Sequence, residues 1–479
     1  MDLEITAEDS TFFCEDGDEN GLLNGSSSDE AESTSEPRSG NDRPNMLSEF
    51  ASEFYSGGSD YSSLMGNKKK NGLFVQKNLL QMWGIEKSGA ADSSESRVSM
   101  ENRKRKKSEN EKEQWAVFGL NQKEFEKGKK PAIVQSRSCP FYKKIPGTPF
   151  TVDAFRYGAI EGCSAYFLSH FHYDHYGGLS KRWCHGPIYC TSITARLLNI
   201  CLSVNKRYIC ALELDKEYEI EGVKVMLIEA NHCPGAALIH LRLRDGRTYL
   251  HTGDFRASKS MQSHPILLSY HVNVLYLDTT YCNPKYRFPS KEEVIDFVVR
   301  TTRKYLQKQP KTLIVVGAYS IGKERVYLAI SQSLQILPIY TDASRRRILE
   351  SFGWSELSGR FSNSRHSSPL HVLPLSFLGL ENLNKYLETL NQRFNAVLAF
   401  RPTGWTFSEA TGSKLDMIKP TSRGNVTIFG VPYSEHSSFN ELRDFVKFLR
   451  PEKIIPTVNA SSSGSRDKMQ ALFNNWLKS

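Results

Sequence analysis

Ser169-His170-Phe171-His172-Tyr173-Asp174-His175-Tyr176 is the run on which the fold turns: four ligand-type side chains fall within six residues, three of them imidazoles. The apolar stretch Ala165 to Ser169 just before it reads as a strand that delivers the first histidines. An extended chain sends alternate side chains to one side, so His170 and His172 are expected to converge on one cation. Asp174 and His175 stand where the chain must turn and are free to reach a second cation beside the first. Imidazole with carboxylate suits zinc and similar first-row divalent ions. A chance cluster of surface histidines is the competing reading. With 12 His in 479 residues, three in this register beside an aspartate argue against chance.

Two later loops carry ligand-type residues directly after strand-like apolar runs. Val223 to Ala230 leads into Asn231-His232-Cys233-Pro234-Gly235, and Arg247 to Leu250 leads into His251-Thr252-Gly253-Asp254. Each alone reads as a turn with a histidine in it. Beside His170 and His172, they supply the further His and Asp that a complete site needs.

Asp153, the HxHxDH run, His232 and Asp254 resemble, in order, the first four motifs of the metallo-β-lactamase superfamily. That resemblance implies an α/β fold, an αββα sandwich with metals at the loop-bearing edge between two sheets. Asp278, after Val274-Leu275-Tyr276-Leu277, and His436, in Tyr433-Ser434-Glu435-His436-Ser437-Ser438, resemble motifs A and B of the β-CASP branch, whose members cut nucleic acids. At motif C stands Val458, where the RNA-cutting members carry His, which resembles the DNA-cutting members. The wording of Cys139 to Lys143, Ile145 to Phe150 and Gly317 to Glu324 is closest to the DNA interstrand cross-link repair exonucleases, the group that also includes Artemis.

The resemblance implies site roles. His170, His172, His232 and Asp254 would bind a first zinc; Asp174, His175, Asp254 and His436 would bind a second, with Asp254 bridging. One or two ions are expected, and the second position is open to Mg2+ or Mn2+ as well as Zn2+. Asp174 would orient the attacking water, making Asp174, Asp254 and His436 the catalytic set. Asp153 and Asp278 would hydrogen-bond ligating histidines and fix their tautomers.

Gly317-Ala318-Tyr319-Ser320-Ile321-Gly322-Lys323 imitates a phosphate-binding loop, but Glu324 replaces the Ser or Thr that would hold magnesium. An ATPase loop is therefore set aside, and Ser320 and Lys323 are expected to touch a substrate phosphate. A plain strand-to-helix turn is the alternative.

Charge is unevenly spread. Residues 1–60 hold 16 Asp or Glu against 2 Lys or Arg, a net of −14, while the whole chain is +9, leaving +23 on residues 61–479. An acidic, Ser- and Gly-rich head should be disordered, and the basic remainder should attract a polyanion. Arg103-Lys104-Arg105-Lys106-Lys107 reads as a nuclear localisation signal. Gln76, Leu79, Met82 and Trp83 fit a degenerate sliding-clamp box, with Met82 in place of the first aromatic. Nine scattered Cys without a CxxC fit a reducing compartment. No stretch reaches the roughly 18 apolar residues of a membrane span, so no membrane partner is expected.

The expected organisation is a disordered regulatory arm over residues 1–135, the first part of the sandwich over 136–282, a β-CASP cap over 283–428 and a return segment over 429–479. The expected function is a 5′→3′ DNA exonuclease of the nucleus that engages a 5′ phosphate and repairs interstrand cross-links by two-metal phosphodiester hydrolysis. Other repair proteins would be recruited through the arm. Three readings compete: an RNA endonuclease of the same branch, a structure-specific DNA endonuclease, and a non-catalytic repair scaffold.

Overall fold

The computed structural model describes residues 138–478, apart from residues 391, 407–414 and 461. The acidic head, the basic cluster at residues 103–107 and the clamp-type box at residues 76–83 lie outside the described residues.

Short apolar runs form three sheets. The first is β1 (Lys144–Ile145), β2 (Phe150–Val152), β3 (Ala165–Phe167), β4 (Ile188–Thr191) and β5 (Ile209–Leu212), adjacent in that order and parallel after the β1–β2 pair. β6 (Glu217–Ile220), β7 (Val223–Glu229), β8 (Ala237–Arg242) and β9 (Thr248–His251) follow as an antiparallel meander, and β10 (Val274–Leu277) adds in parallel to β9. The third sheet holds β11 (Thr312–Ala318), β12 (Ile339–Tyr340), β13 (Phe361–Ser362), β14 (Leu370–Pro374), β15 (Ala396–Pro402), β16 (Thr421–Arg423) and β17 (Val426–Val431). Its order is β13-β12-β14-β11-β15-β17-β16, with only β16 antiparallel. β18 (Lys453–Pro456) then returns to the second sheet, in parallel along β10.

Period-two alternation explains the layers. On β3, Ala165 and Phe167 enter the filling between the first two sheets, where they meet Val225, Leu227, Ile239 and Tyr276. Tyr166 and Leu168 face the other way. The helix Ser192–Leu202 packs on β4 and β5, and the helix Ser463–Lys478 packs on β18. The result is helix, sheet, sheet, helix. The third sheet is buried on both faces, as parallel sheets are. Leu313 and Val315 of β11 pack in the cluster that includes Leu383 of the helix Leu380–Glu388. Ile314 and Val316 pack in the cluster with Val294, Val298 and Val326.

That second cluster continues into the sandwich without a break. Arg196 of the sandwich donates to the carbonyls of Ser351 (2.6 Å) and Phe352 (3.1 Å) in the cap. No helix of the described residues is long and apolar enough to cross a membrane.

One glycine fixes the histidine-bearing turn. Gly178 has φ +105°, and a Cβ there would lie 2.4 Å from the Phe155 carbonyl oxygen. Gly178→Ala is expected to lose about 2–4 kcal/mol of stability through strain and clash, measured by denaturant unfolding.

Candidate metal centre

β3 ends at Phe167, the chain bends at Phe171, and His172, itself extended, caps the one-turn helix Tyr173–Tyr176. His170 and His172 therefore lean together, with His170 Nε2 3.0 Å from His172 Nδ1. The loop after β7 brings His232 Nε2 to 3.1 Å from His172 Nδ1. Ligand bonds of about 2.1 Å at tetrahedral angles put neighbouring donor atoms roughly 3.4 Å apart, so three nitrogens at this spacing suit one zinc. The loop after β9 adds Asp254, whose Oδ2 is 3.7 Å from His170 Nε2 and 3.9 Å from His232 Nε2.

The same Asp254 oxygen lies 3.2 Å from His175 Nε2, and Asp174 Oδ2 lies 3.4 Å from that nitrogen. His436 arrives on the loop after β17, and His232, Asp254 and His436 form a further group with ligand atoms within 4.8 Å of one another. Two donor groups thus meet at Asp254. Six of the seven residues expected to ligate metal fall in these groups and Asp174 joins them only through His175, while Cys233 sits buried beside His170, His172 and His232. Burial pushes the Cys233 thiol well above its ordinary pKa.

The outward ring nitrogens are held by fixed partners. His175 Nδ1 donates to Asp153 Oδ2 at 2.7 Å, and His436 Nδ1 donates to Asp278 Oδ2 at 2.9 Å. His232 Nδ1 donates to the Glu435 carbonyl at 2.9 Å, and His170 Nδ1 meets Ser169 Oγ at 2.9 Å. Each of these four rings is left with Nε2 toward the centre, the arrangement in which a partner orients a ligating imidazole. Burial pushes the Asp153 carboxyl up, but the His175 ring and Lys143 outweigh it and hold it at about 2.

Lys323 is placed differently from the expected phosphate contact. It is 5 % exposed, and its Nζ donates to Glu435 Oε2 at 2.5 Å. The backbone N–H of Gly322 donates to Glu324 Oε1 at 2.7 Å, and that of Lys323 to Glu435 Oε1 at 3.0 Å. Carboxylates occupy the donors a phosphate would use. Ser320 is partly exposed in the same loop. Arg345, the first of the three consecutive arginines, is buried, and its Nη2 donates to the Ala318 carbonyl at 3.4 Å.

Sequence reading missed three residues that grip the ligand loops. Lys291 Nζ donates to the Asn231 carbonyl (2.6 Å) and to Asn231 Oδ1 (3.0 Å). Arg256 spans from the Asp254 loop to the Ser434 and Pro289 carbonyls, 2.8 Å each. Glu435 pairs with Lys323. The only local signal was position, since Glu435 and Arg256 flank ligand-type residues.

The description "DNA repair metallo-beta-lactamase" fits residues 355–462, a stretch that runs from the cap through His436 to motif C. The DNA cross-link repair protein SNM1 of Arabidopsis thaliana is 54% identical over 460 residues, covering 90% of this chain and 90% of that protein. The chain belongs to the SNM1 family of DNA cross-link repair proteins. The family lies in the β-CASP group of the metallo-β-lactamase superfamily, which binds metal ions, and the three sheets described above are that fold. Further SNM1-family relatives match over shorter stretches. The DNA cross-link repair 1A protein of Gallus gallus is 47% identical over 345 residues, 72% of this chain and 35% of that protein. The 5′ exonuclease Apollo of Danio rerio is 31% identical over 324 residues, 66% of this chain and 52% of that protein. The chain thus spans about a third of the chicken protein and about half of the zebrafish one.

Proposed function

We propose that this chain is a metal-dependent 5′→3′ DNA exonuclease that acts in interstrand cross-link repair. The observation that carries the reading is the meeting of two imidazole–carboxylate groups at Asp254, in a family whose relatives include a 5′ exonuclease. The donor set suits zinc: imidazole nitrogens close to tetrahedral spacing, with the rings of His170, His175, His232 and His436 each oriented by a partner. His170, His172, His232 and Asp254 would hold one ion; Asp174, His175, Asp254 and His436 would hold the other. When bound, such ions polarise a phosphoryl oxygen and lower the pKa of a water toward about 7. Asp174, at the solvent-open side with its side chain 36% exposed, accepts a proton from the attacking water and aims it. Asp153 and Asp278 keep His175 and His436 in the tautomer that presents Nε2. Ser320 is retained as a substrate-phosphate contact, and the metal centre takes a DNA strand by its 5′ phosphate. Val458 offers no ligand atom beside motif A, which favours DNA over RNA as substrate. Nuclear action, recruitment of repair proteins through the arm, and sliding-clamp binding belong to the same reading.

Product mapping tests it. Matched DNA and RNA strands with 5′-phosphate or 5′-hydroxyl ends are incubated with the full chain and zinc. Stepwise shortening of the 5′-phosphorylated DNA strand is the expected result. Internal cuts at hairpins would instead establish the structure-specific endonuclease, and equal cutting of RNA would establish the RNA endonuclease.

The two metal positions should differ in their proton release. Burial alone would strip the proton from His436, but Asp278 outweighs it and the ring keeps its proton up to about pH 9 in the metal-free chain. Asp254, Asp174 and Asp153 likewise hold His175 well above its ordinary pKa against burial. His170 and His232 are held well below theirs, chiefly by burial. A cation at the second position must displace protons, so its affinity rises with pH between about 6.5 and 9, by about tenfold per unit for each proton lost. The His170 and His232 rings of the first position are already neutral at neutral pH and release no proton. Calorimetric zinc titration at pH 7.5 in buffers of different ionisation enthalpy should show the second ion releasing more protons than the first.

A further inference from the structure

Two buried lysines of the cap each grip the residue just before a candidate metal-ligand histidine. Lys323 holds Glu435, next to His436; Lys291 holds Asn231, next to His232. Lys323 and Glu435 lie 112 residues apart in sequence, and each side chain is 6% exposed. The same Glu435 lends its backbone carbonyl to His232 Nδ1. One residue therefore touches both histidines that the later loops contribute.

The local backbone is bent to make this contact. Lys323 has φ +73°, the left-handed region that is strained for a non-glycine residue. Gly322 has φ +94°, and a Cβ there would come within 3.0 Å of Glu435 Oε2. A side chain there would be strained by the positive φ and would crowd the carboxylate. Lys323 then presents both its N–H and its ammonium to one carboxylate, as a clamp with two jaws. Burying two opposite charges does not favour stability over a well-packed apolar pair, because desolvation offsets the attraction. The pair does hold one geometry where an apolar contact would allow several. Left unclamped, the Glu435 carboxylate would also be free to swing toward the cations.

We infer that Lys323 is a positioning residue of the metal centre, acting from the cap through Glu435 on His436 and His232. Lys291 performs the matching task on Asn231. The cap is then part of the machinery that assembles the site. This rests on the metal-centre reading above, and the test separates the two.

Lys323→Met keeps the backbone N–H on Glu435 and removes only the ammonium. Full-length wild type, Lys323→Met and Lys323→Arg are compared in three ways. In the metal-free chains, hydrogen exchange over residues 431–438 should quicken in Lys323→Met and return toward wild type in Lys323→Arg. Zinc affinity at the second position should fall about 10–100-fold in Lys323→Met, as when a partner of a ligand is lost. On a 5′-phosphorylated strand, kcat should fall with KM held within about twofold. Should Lys323→Met fail to fold, Lys291→Met carries the same exchange and zinc measurements on residues 229–235. Unchanged exchange and unchanged zinc affinity would overturn the inference. So would a rise in KM with kcat kept, which would make Lys323 a substrate contact. A wild-type chain that binds no zinc while its exchange still depends on Lys323 would sink the metal reading instead.

Discussion

Asp174→Ala is expected to lower kcat by roughly 10³-fold while leaving the protein folded, the range for a lost general base at a metal-assisted site. That corresponds to about 4 kcal/mol of transition-state stabilisation. Asp174 sits on the one-turn helix Tyr173–Tyr176 with a third of its side chain open to solvent. Its nearest charged neighbour is His175 Nε2 at 3.4 Å, and Asp153 holds the other side of that ring. Removing the Asp174 carboxylate therefore costs the fold little, and the melting temperature should stay within a few degrees of wild type. Asp174→Asn keeps a ligand oxygen and loses the base, so it should retain zinc better than the alanine variant while remaining slow. Single-turnover cleavage with zinc content on the same sample checks both. Cleavage above about a tenth of wild type in Asp174→Ala would overturn the role given to this residue.

Arg256→Ala should act through stability, at about 3–5 kcal/mol, the cost of breaking a buried charged network by removing one partner. Arg256 is 2% exposed, and its guanidinium serves four groups: the Ser434 and Pro289 carbonyls and the two oxygens of Glu441. Glu441 is also half of the capping box, with Ser438, that starts the helix Phe439–Leu449. The substitution strands two buried carbonyls and loosens the turn that carries His436. Arg256→Lys is not a conservative repair, because one ammonium cannot reach all four groups. Urea unfolding of the full chain provides the measurement. A loss below about 1 kcal/mol would show that Arg256 is not the tie described.

Why the donor set could be read from the chain while its supports could not is a matter of range. His170, His172, Asp174 and His175 lie in one turn of sequence, and their spacing alone brings them to one place. The apolar runs that became β3, β7 and β9 were equally legible, since strand burial leaves a local pattern. Lys323 misled because its surroundings imitate a phosphate loop, while the partner that claims it stands 112 residues away. Lys291 reads locally as the first residue of a well-capped helix, with no hint that it reaches Asn231. Buried ion pairs and side chain-to-carbonyl grips between distant segments have no period and no composition. They become visible only in three dimensions.

The position of β18 has a consequence for how the enzyme is born. It lies at the edge of the second sheet, along β10, though some 175 residues of chain separate the two strands. His436 precedes it by 17 residues, with the helix Phe439–Leu449 between, and follows the whole cap. A growing polypeptide can therefore lay down the HxHxDH turn early and yet possess no finished cutting centre. The second metal position is complete only once the whole cap and the loop that carries His436 have been synthesised. A chain stalled before His436 lacks one donor of the second metal position.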